Sequence, residues 1–218
     1  MKFFIDTANL DEISEAQDLG VLDGVTTNPS LMAKEGITGE DNILKHYEDI
    51  CNLVDDNVSA EVISTEFEKM VEEGKKLAAI NDKIVVKIPM IKDGVKAIAA
   101  LTDEGIRTNC TLIFNAGQAI LAAKAGASYI SPFIGRLDDI SSNGLALIEQ
   151  IVNIFDNYTF ETEVLAASIR HNIHLIQCAE IGADVATCPL SVITGLLKHP
   201  LTDSGLEKFL ADYKKGKN

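Results

Sequence analysis

The chain has 218 residues, 46% of them hydrophobic, and a formal net charge of -14 at pH 7. This length supports a well-buried core, and we expect one domain over residues 1–218 because no Gly/Ser-rich linker interrupts the chain. An acidic surface repels a phosphate backbone, so nucleic-acid binding is not expected.

Cysteine spacing and the N-terminal segment favour a cytoplasmic protein. The four cysteines form no CxxC pair, which argues against a zinc site and against a disulfide framework. The first six residues already reach a charge, too early for a signal peptide, and no apolar run approaches the ~20 residues of a membrane helix. His171 and His174 are three residues apart, but no third ligand is apparent, so no metal site is predicted.

Short apolar or β-branched segments alternate with longer helical patterns along the whole chain. The predicted strands are residues 3–6, 24–28, 58–63, 83–88, 106–114, 128–134, 163–167 and 184–188. A first helix opens at Asn9, a plausible N-cap, and later helical patterns cover 43–54, 66–80, 94–103, 117–125, 144–155, 169–181 and 205–213. Eight such units predict an α/β fold, a single-domain (β/α)8 TIM barrel with a C-terminal helical extension, and an open doubly wound sheet is the alternative.

A lysine interrupts the fourth predicted strand close to its C-terminal end. Side chains alternate along a strand, so Val85 and Lys87 share one face. A charge is poorly suited to the outer face, which packs on helices, so we expect Lys87 to point inward at the upper rim. Lys83 starts the same strand and is expected at the lower rim.

Candidate functional side chains also stand at the C-terminal ends of most other predicted strands. In this fold class that end of the barrel holds the active site, and buried polar groups are costly unless they are satisfied or functional. The residues concerned are Asp6, Asn28, Glu61, Asn109, Thr111, Ser131, Phe133, Ser168 and Arg170.

This set of residues predicts chemistry on a carbonyl compound. A lysine deprived of water loses its proton more readily, and a neutral amine attacks a carbonyl to form an imine. The protonated imine withdraws electrons, so a carbon–carbon bond beta to it can break or form. We expect Glu61, with Thr111 and an ordered water, to shuttle protons, and Asp6 to exchange the proton of a sugar hydroxyl. Asn28 and Asn109 are suited to holding hydroxyl groups.

The chain has only three arginines, and two of them, Arg136 and Arg170, follow predicted strands. A guanidinium group binds phosphate through a fixed fork of N–H donors, and the Ser168 hydroxyl adds another donor. These residues predict a sugar-phosphate substrate. Arg107, at the start of the fifth strand, is expected at the opposite rim in a structural role.

The segments Thr-Thr-Asn-Pro-Ser and Val-Lys-Ile-Pro are together highly specific, and the whole chain resembles the small transaldolases, which group with the fructose-6-phosphate aldolases. The residues that carry the resemblance are 4–8, 24–30, 85–89, 105–106, 131–136 and 164–168. The resemblance implies that Lys87 forms the Schiff base, that Asp6 and Glu61 act as acid–base groups, and that Thr111 positions a water molecule.

The same resemblance implies the substrate-binding residues and an assembly, with no metal or other cofactor. The residues that would hold the substrate are Asn28, Asn109, Ser131, Phe133, Arg136, Ser168 and Arg170. For a small member of this family, the resemblance implies barrels that assemble as decamers of two stacked pentamers. The C-terminal helix of each barrel would pack on a neighbouring subunit. Residues 205–213 are therefore a candidate interface in a homo-oligomer, and a lid within the chain is equally compatible with the sequence.

Positions 61 and 133 separate the two branches of this family. The resemblance implies that the aldolase branch has glutamine at the first position and tyrosine at the second. This chain has Glu61 and Phe133 instead. When the carbon–carbon bond breaks, a three-carbon enamine remains attached to the lysine. A tyrosine hydroxyl can help to protonate this enamine, but phenylalanine cannot. With phenylalanine, the enamine should therefore persist until an acceptor aldehyde binds. The expected reaction moves a dihydroxyacetone unit between sedoheptulose 7-phosphate and glyceraldehyde 3-phosphate, giving erythrose 4-phosphate and fructose 6-phosphate. The alternatives are an aldolase that releases free dihydroxyacetone and a sugar-phosphate-binding barrel without turnover.

Overall fold

Eight parallel strands pair in chain order and close into a barrel. The computed structural model describes residues 1–216. The strands are β1 (Lys2–Asp6), β2 (Gly24–Thr26), β3 (Asn57–Glu61), β4 (Ile84–Pro89), β5 (Thr108–Ile113), β6 (Tyr129–Pro132), β7 (Glu163–Ala166) and β8 (Val185–Cys188). Because β1 pairs with β8 as well as with β2, the sheet is closed, and the open doubly wound alternative is wrong. The predicted (β/α)8 barrel is confirmed.

Helices connect the strands and cover the outside of the barrel. They are α1 (Leu10–Asp18), α2 (Pro29–Lys34), α3 (Glu40–Leu53), α4 (Phe67–Ala78), α5 (Lys92–Asp103), α6 (Ala116–Lys124), α7 (Ile134–Asp138), α8 (Gly144–Tyr158), α9 (Asn172–Ile181), α10 (Leu190–Gly195) and α11 (Pro200–Lys215). Asparagine side chains at positions 9, 28, 115 and 143 begin four of them by accepting first-turn backbone N–H groups. The predicted cap at Asn9 is confirmed.

The predicted elements differ from the observed ones mainly at their ends. The helices α2, α7 and α10 were not predicted, because five or six residues are too few to show an apolar period. Helix α9 begins at Asn172 rather than at residue 169, since Ser168 has a left-handed φ of 58° and His171 is an extended N-cap. The fifth strand begins at Thr108, and its register shifts before Ile113.

Inside the barrel, a layer of mostly apolar side chains lies below the polar side chains of the upper end. One buried cluster comprises Phe4, Val85, Tyr129, Leu165, Ala167 and Val185, and it is separate from the larger core between strands and helices. Since alternate residues of a strand share a face, the inward residue two positions beyond Phe4 is Asp6, and two positions beyond Val85 is Lys87. The apolar layer therefore forms the floor beneath a polar mouth.

The C-terminal helix α11 extends from the barrel without burying any of its residues. It begins at Pro200, earlier than predicted, because His199 caps it and proline suits the first helical position. Leu201, Leu206, Phe209 and Leu210 are all exposed on it. None of the helices formed by residues 1–216 has both the length and the apolar composition required to cross a membrane.

Candidate active site

A cavity of about 540 Å³ opens at the C-terminal end of the barrel. This is a volume typical of small-molecule sites. The predicted site residues that line it are Asp6, Asn28, Glu61, Lys87, Thr111, Ser131, Phe133, Arg136, Ser168 and Arg170. The polar strand ends that the sequence pattern singled out thus meet at one site, with the exception of Asn109.

Lys87 lies in the cavity wall next to a carboxylate. Its side chain is 7% exposed, and its Nζ is 3.0 Å from Oε2 of Glu61. Nζ also donates a hydrogen bond to the backbone carbonyl of Thr27 at 3.1 Å. Glu61 and Lys87 are register partners in the parallel pair β3–β4, so both project to the same side of the sheet. The arrangement places a proton acceptor beside the amine that would have to lose a proton to attack a carbonyl.

Asp6 is held by Thr26, which in turn contacts Thr187, and neither threonine was predicted as a site residue. The Thr26 hydroxyl donates to Oδ1 of Asp6 at 2.7 Å, and the Thr26 and Thr187 hydroxyl oxygens are 2.6 Å apart. Because Thr26 has a single hydroxyl proton, Thr187 must donate to Thr26. Both threonines have inward parity on their strands, Thr26 two residues before Asn28, and this was the sequence signal that could have identified them.

Thr111 presents a free hydroxyl group to the cavity. Its Oγ1 is buried and has no hydrogen-bond partner among residues 1–216, and the residue lines the cavity. The next residue, Leu112, has a left-handed φ of 62° at the register shift of β5. Strained backbone of this kind is concentrated at functional sites. The Thr111 hydroxyl is therefore available to a water molecule or to a substrate.

Asn109 lies beneath the cavity and does not line it. It is fully buried, its Nδ2 donates to the Ser59 hydroxyl at 3.1 Å, and its Oδ1 accepts from the Ser131 hydroxyl at 2.8 Å. Its amide thus orients Ser131, which does line the cavity. Serines occupy both the nitrogen and the oxygen of the Asn109 amide. This arrangement suits Asn109 to supporting the cavity wall and not to contacting a substrate hydroxyl.

The side chain of Asn28 caps helix α2 with its oxygen and lines the cavity. Its Oδ1 accepts the backbone N–H groups of Ser30 and Leu31, both at 3.0 Å, and so begins α2. Its Nδ2 group has no described partner within residues 1–216, and Asn28 lines the cavity. The amide nitrogen can therefore donate to a substrate hydroxyl while the oxygen caps the helix.

The two predicted phosphate-binding arginines lie together at one side of the cavity. The guanidinium of Arg136 stacks over the ring of Phe133 at 4.9 Å from the ring centroid, and Arg170 donates to Asp139 at 2.7 Å. A Cβ on Gly135 would lie 2.5 Å from Nε of Arg170, so only glycine lets Arg170 pass at this point. Two guanidinium groups and the Ser168 hydroxyl form a group of donors that suits an anion.

The residues predicted for the opposite rim are found there. Lys83 donates from Nζ to the carbonyls of Cys51 and Val54, at 2.9 and 2.7 Å. Arg107 donates to Asn57 and to the carbonyl of Asp82. Both cations are satisfied by structural contacts far along the strands from the cavity, which confirms the predicted distinction between Lys83 and Lys87.

Three buried cysteines and the possible metal ligands of the described chain form no further reactive site. Burial raises the pKa of the Cys110, Cys178 and Cys188 thiols to about 12, so these thiols are protonated at neutral pH. Within residues 1–216, no three His, Cys, Asp or Glu side chains converge in a way that could hold a metal ion.

Comparison with known proteins agrees with the resemblance seen in the sequence. The model of the family described as transaldolase/fructose-6-phosphate aldolase matches residues 3–217. A protein named probable transaldolase from Cytophaga hutchinsonii is 72% identical over 215 residues, which cover 99% of each chain. Proteins of the same name from Phocaeicola vulgatus and Flavobacterium psychrophilum are 68% and 67% identical, again over 99% of each chain.

Proposed function

The chain belongs to the transaldolase/fructose-6-phosphate aldolase family, and we propose that it is a transaldolase that carries a dihydroxyacetone unit on Lys87. The observation that carries this proposal is the buried pair of Lys87 and Glu61, with Nζ 3.0 Å from Oε2. The full-length relatives named probable transaldolase support the reaction class. The proposed donor is sedoheptulose 7-phosphate, the acceptor is glyceraldehyde 3-phosphate, and the products are erythrose 4-phosphate and fructose 6-phosphate.

Imine formation is the first proposed step. Lys87 passes a proton to Glu61, and the neutral amine attacks the keto carbon of the donor sugar. Glu61 then returns the proton to the departing hydroxyl group, which leaves as water. The Thr111 hydroxyl, unpaired within residues 1–216, can hold that water on its way. The resulting protonated imine withdraws electrons from the carbon–carbon bond beta to it, between the third and fourth carbons of the sugar.

Cleavage and transfer follow from the position of Asp6. Asp6 removes the proton of the hydroxyl on the fourth carbon, the bond between the third and fourth carbons breaks, and an aldose phosphate leaves. The electron pair of the broken bond stays on the three-carbon enamine bound to Lys87. The enamine then attacks the acceptor aldehyde, and Asp6 returns the proton to the new hydroxyl group. Thr26 donates to Asp6 at 2.7 Å and so fixes its orientation. Hydrolysis of the new imine by one water molecule releases the product and restores Lys87.

The phosphate end of the substrate is assigned to Arg136, Arg170 and Ser168. These residues line the same cavity as Lys87, on a chain whose net charge is -14. A local cluster of guanidinium groups is needed to attract an anionic sugar phosphate to such a protein. Asn28 and Ser131 would hold hydroxyl groups between the two ends, and Asn109 would orient Ser131.

The ring of Phe133 is the feature that favours transfer over simple cleavage. Phe133 lines the cavity and packs against Phe114, with ring centroids 5.6 Å apart, and it has no hydroxyl to protonate the enamine. The enamine should therefore persist until an acceptor aldehyde arrives. The aldolase alternative predicts instead that dihydroxyacetone is released without an acceptor.

We also propose that the chain is one domain that assembles into a homo-oligomer, a pentamer or decamer, in the cytoplasm. Helix α11 buries none of its residues, yet it presents Leu206, Phe209 and Leu210 to solvent. An exposed apolar face of this kind is typical of a surface that packs on another subunit.

A coupled assay for the release of aldose phosphate and of dihydroxyacetone tests the proposed reaction. Fructose 6-phosphate is supplied with and without erythrose 4-phosphate. Sustained turnover that requires the acceptor supports the transaldolase. Rapid release of dihydroxyacetone without acceptor would make the enzyme an aldolase, and binding of fructose 6-phosphate with no turnover would make it a binding barrel.

A further inference from the structure

We propose that His174 and Asp138 position Arg170 for phosphate binding by joining the segment that carries Arg170 to helix α7, which carries Arg136. This inference rests on the proposed function, because it concerns how that site holds the phosphate group. His174 does not line the cavity. It is therefore proposed as a positioning residue and not as a catalytic one.

A single tautomer of His174 satisfies both of its ring nitrogens. The side chain is buried in the first turn of α9. Nδ1 accepts a hydrogen bond from the backbone N–H of Arg170 at 3.4 Å, so in the neutral ring Nε2 carries the proton. Nε2 lies 3.1 Å from Oδ2 of Asp138, so the proton on Nε2 faces that carboxylate.

The carboxylate of Asp138 is itself fixed on both oxygens. Oδ1 accepts the backbone N–H of Gly144 at the start of α8, at 3.0 Å, while Oδ2 faces His174. Asp138 is the last residue of α7, two positions after Arg136. The contact from His174 to Asp138 therefore links the backbone of Arg170 to the helix of the second arginine.

The neighbouring Asp139 holds the other end of Arg170. Its Oδ2 accepts from the guanidinium at 2.7 Å, so Arg170 is held at its backbone through His174 and at its side chain through Asp139. Arg170 follows Ser168, whose φ is 58°, and it precedes α9, so regular secondary structure does not fix it. A side chain whose backbone is already fixed loses less freedom when it binds a ligand.

Protonation of His174 would break this arrangement. The titratable and charged groups that face it are His171, whose ring centroid is 3.7 Å away, Asp138 and Arg170. Burial, and then the neighbouring His171, lower the pKa of His174 below its ordinary value of 6.5. A doubly protonated ring would turn Nδ1 into a donor that opposes the Arg170 N–H. The contact is therefore present above pH 6.5 and is lost as the pH falls through the lowered pKa of the folded protein.

The test compares His174→Gln and His174→Leu with the wild type. Glutamine keeps one acceptor and one donor, whereas leucine keeps neither. We expect the KM for fructose 6-phosphate to rise about tenfold in His174→Leu and less in His174→Gln, with kcat nearly unchanged. Borohydride trapping of unphosphorylated dihydroxyacetone should be the same in all three proteins. An unchanged KM, or an equal loss with dihydroxyacetone, would overturn the proposal.

The pH profile gives a readout that a merely structural role would not change. Below pH 6.5 the KM of the wild type for fructose 6-phosphate should rise more steeply than that of His174→Gln. The substrate phosphate titrates in both reactions, so the difference between the two proteins isolates His174. Parallel profiles would contradict the proposal.

Calorimetric titration with inorganic phosphate separates this inference from the proposed function. If the wild type binds phosphate but shows neither transfer nor trapping, the function is wrong. Weaker phosphate binding by His174→Leu would then still support the positioning of Arg170. Equal affinity of the two proteins for phosphate, or no binding by either, would overturn it.

Discussion

Lys87 and Glu61 are register partners on adjacent parallel strands, and their side chains meet at 3.0 Å between Nζ and Oε2. The two residues are brought together by strand pairing alone, without any loop. Strand pairing is rigid, so the amine and the carboxylate keep the short separation that proton transfer requires.

Replacing Lys87 with alanine should abolish covalent trapping. Borohydride with fructose 6-phosphate should add a three-carbon unit to the wild type at Lys87, because the amine forms the imine that the reagent reduces. Intact-protein mass spectrometry and peptide mapping detect the adduct. Lys124→Met, at an exposed position on α6, is the matched control and should be trapped like the wild type. An adduct mapped to any other lysine would refute the mechanism.

Glu61→Gln should slow turnover without preventing the imine. We expect kcat to fall about a hundredfold to a thousandfold, because glutamine cannot accept the proton of Lys87. Some trapping should remain, since the buried amine is still present. Steady-state kinetics and quantitative trapping test this, and circular dichroism checks that the variant is folded. Equal kcat values for Glu61→Gln and wild type would remove Glu61 from the proton transfer.

Arg136→Ala and Arg170→Ala should each weaken phosphate binding more than chemistry. A hydrogen bond to a charged group contributes about 1.5–3 kcal/mol, so KM for fructose 6-phosphate should rise roughly tenfold to hundredfold. Trapping of unphosphorylated dihydroxyacetone should change little. Arg107 contacts Asn57 at the opposite rim, so Arg107→Lys serves as a control for loss of an arginine elsewhere. An unchanged KM in both cavity variants would move the phosphate away from this cluster.

Phe133→Tyr should introduce release of free dihydroxyacetone. The added hydroxyl would stand at the cavity wall, where it can help to protonate the enamine. Dihydroxyacetone formed from fructose 6-phosphate without an acceptor, measured by a coupled reductase, should rise above the wild-type rate. Phe114→Tyr adds a hydroxyl to the neighbouring ring, whose centroid is 5.6 Å from that of Phe133, and tests whether position matters. Equal release by wild type and Phe133→Tyr would show that this ring does not govern the fate of the enamine.

Charge introduced on the exposed face of α11 should disrupt assembly. Leu206→Asp combined with Phe209→Asp removes apolar area that is exposed in the single chain, so the fold should survive. Light scattering coupled to size-exclusion chromatography should show a larger species for the wild type and a smaller one for the variant. Ile140→Asp changes an exposed residue outside α11 and serves as a comparison. The same mass for the wild type and the double variant would exclude this face as the interface.

Local patterns were sufficient to predict the strands and much of the cavity. The alternation of side chains along β4 predicted that Lys87 points inward, and the position of Lys83 at the start of the strand predicted its place at the lower rim. These predictions depend only on period-two geometry and on the position of a residue within its strand. The same rule applies to Thr26 and Thr187, which also have inward parity on their strands.

Strand periodicity and short motifs are local properties of a chain, so the barrel, the family resemblance and most of the cavity residues named above can be predicted from the sequence. The contacts between side chains, in contrast, follow from the way the sheet closes. Thr26 and Thr187 are 161 residues apart, yet they meet because β1 pairs with both β2 and β8. Closure likewise buries Asn109 beneath the cavity, with Ser59 and Ser131 as its partners. Contacts between distant residues depend on how the whole sheet closes, and no local pattern encodes that closure.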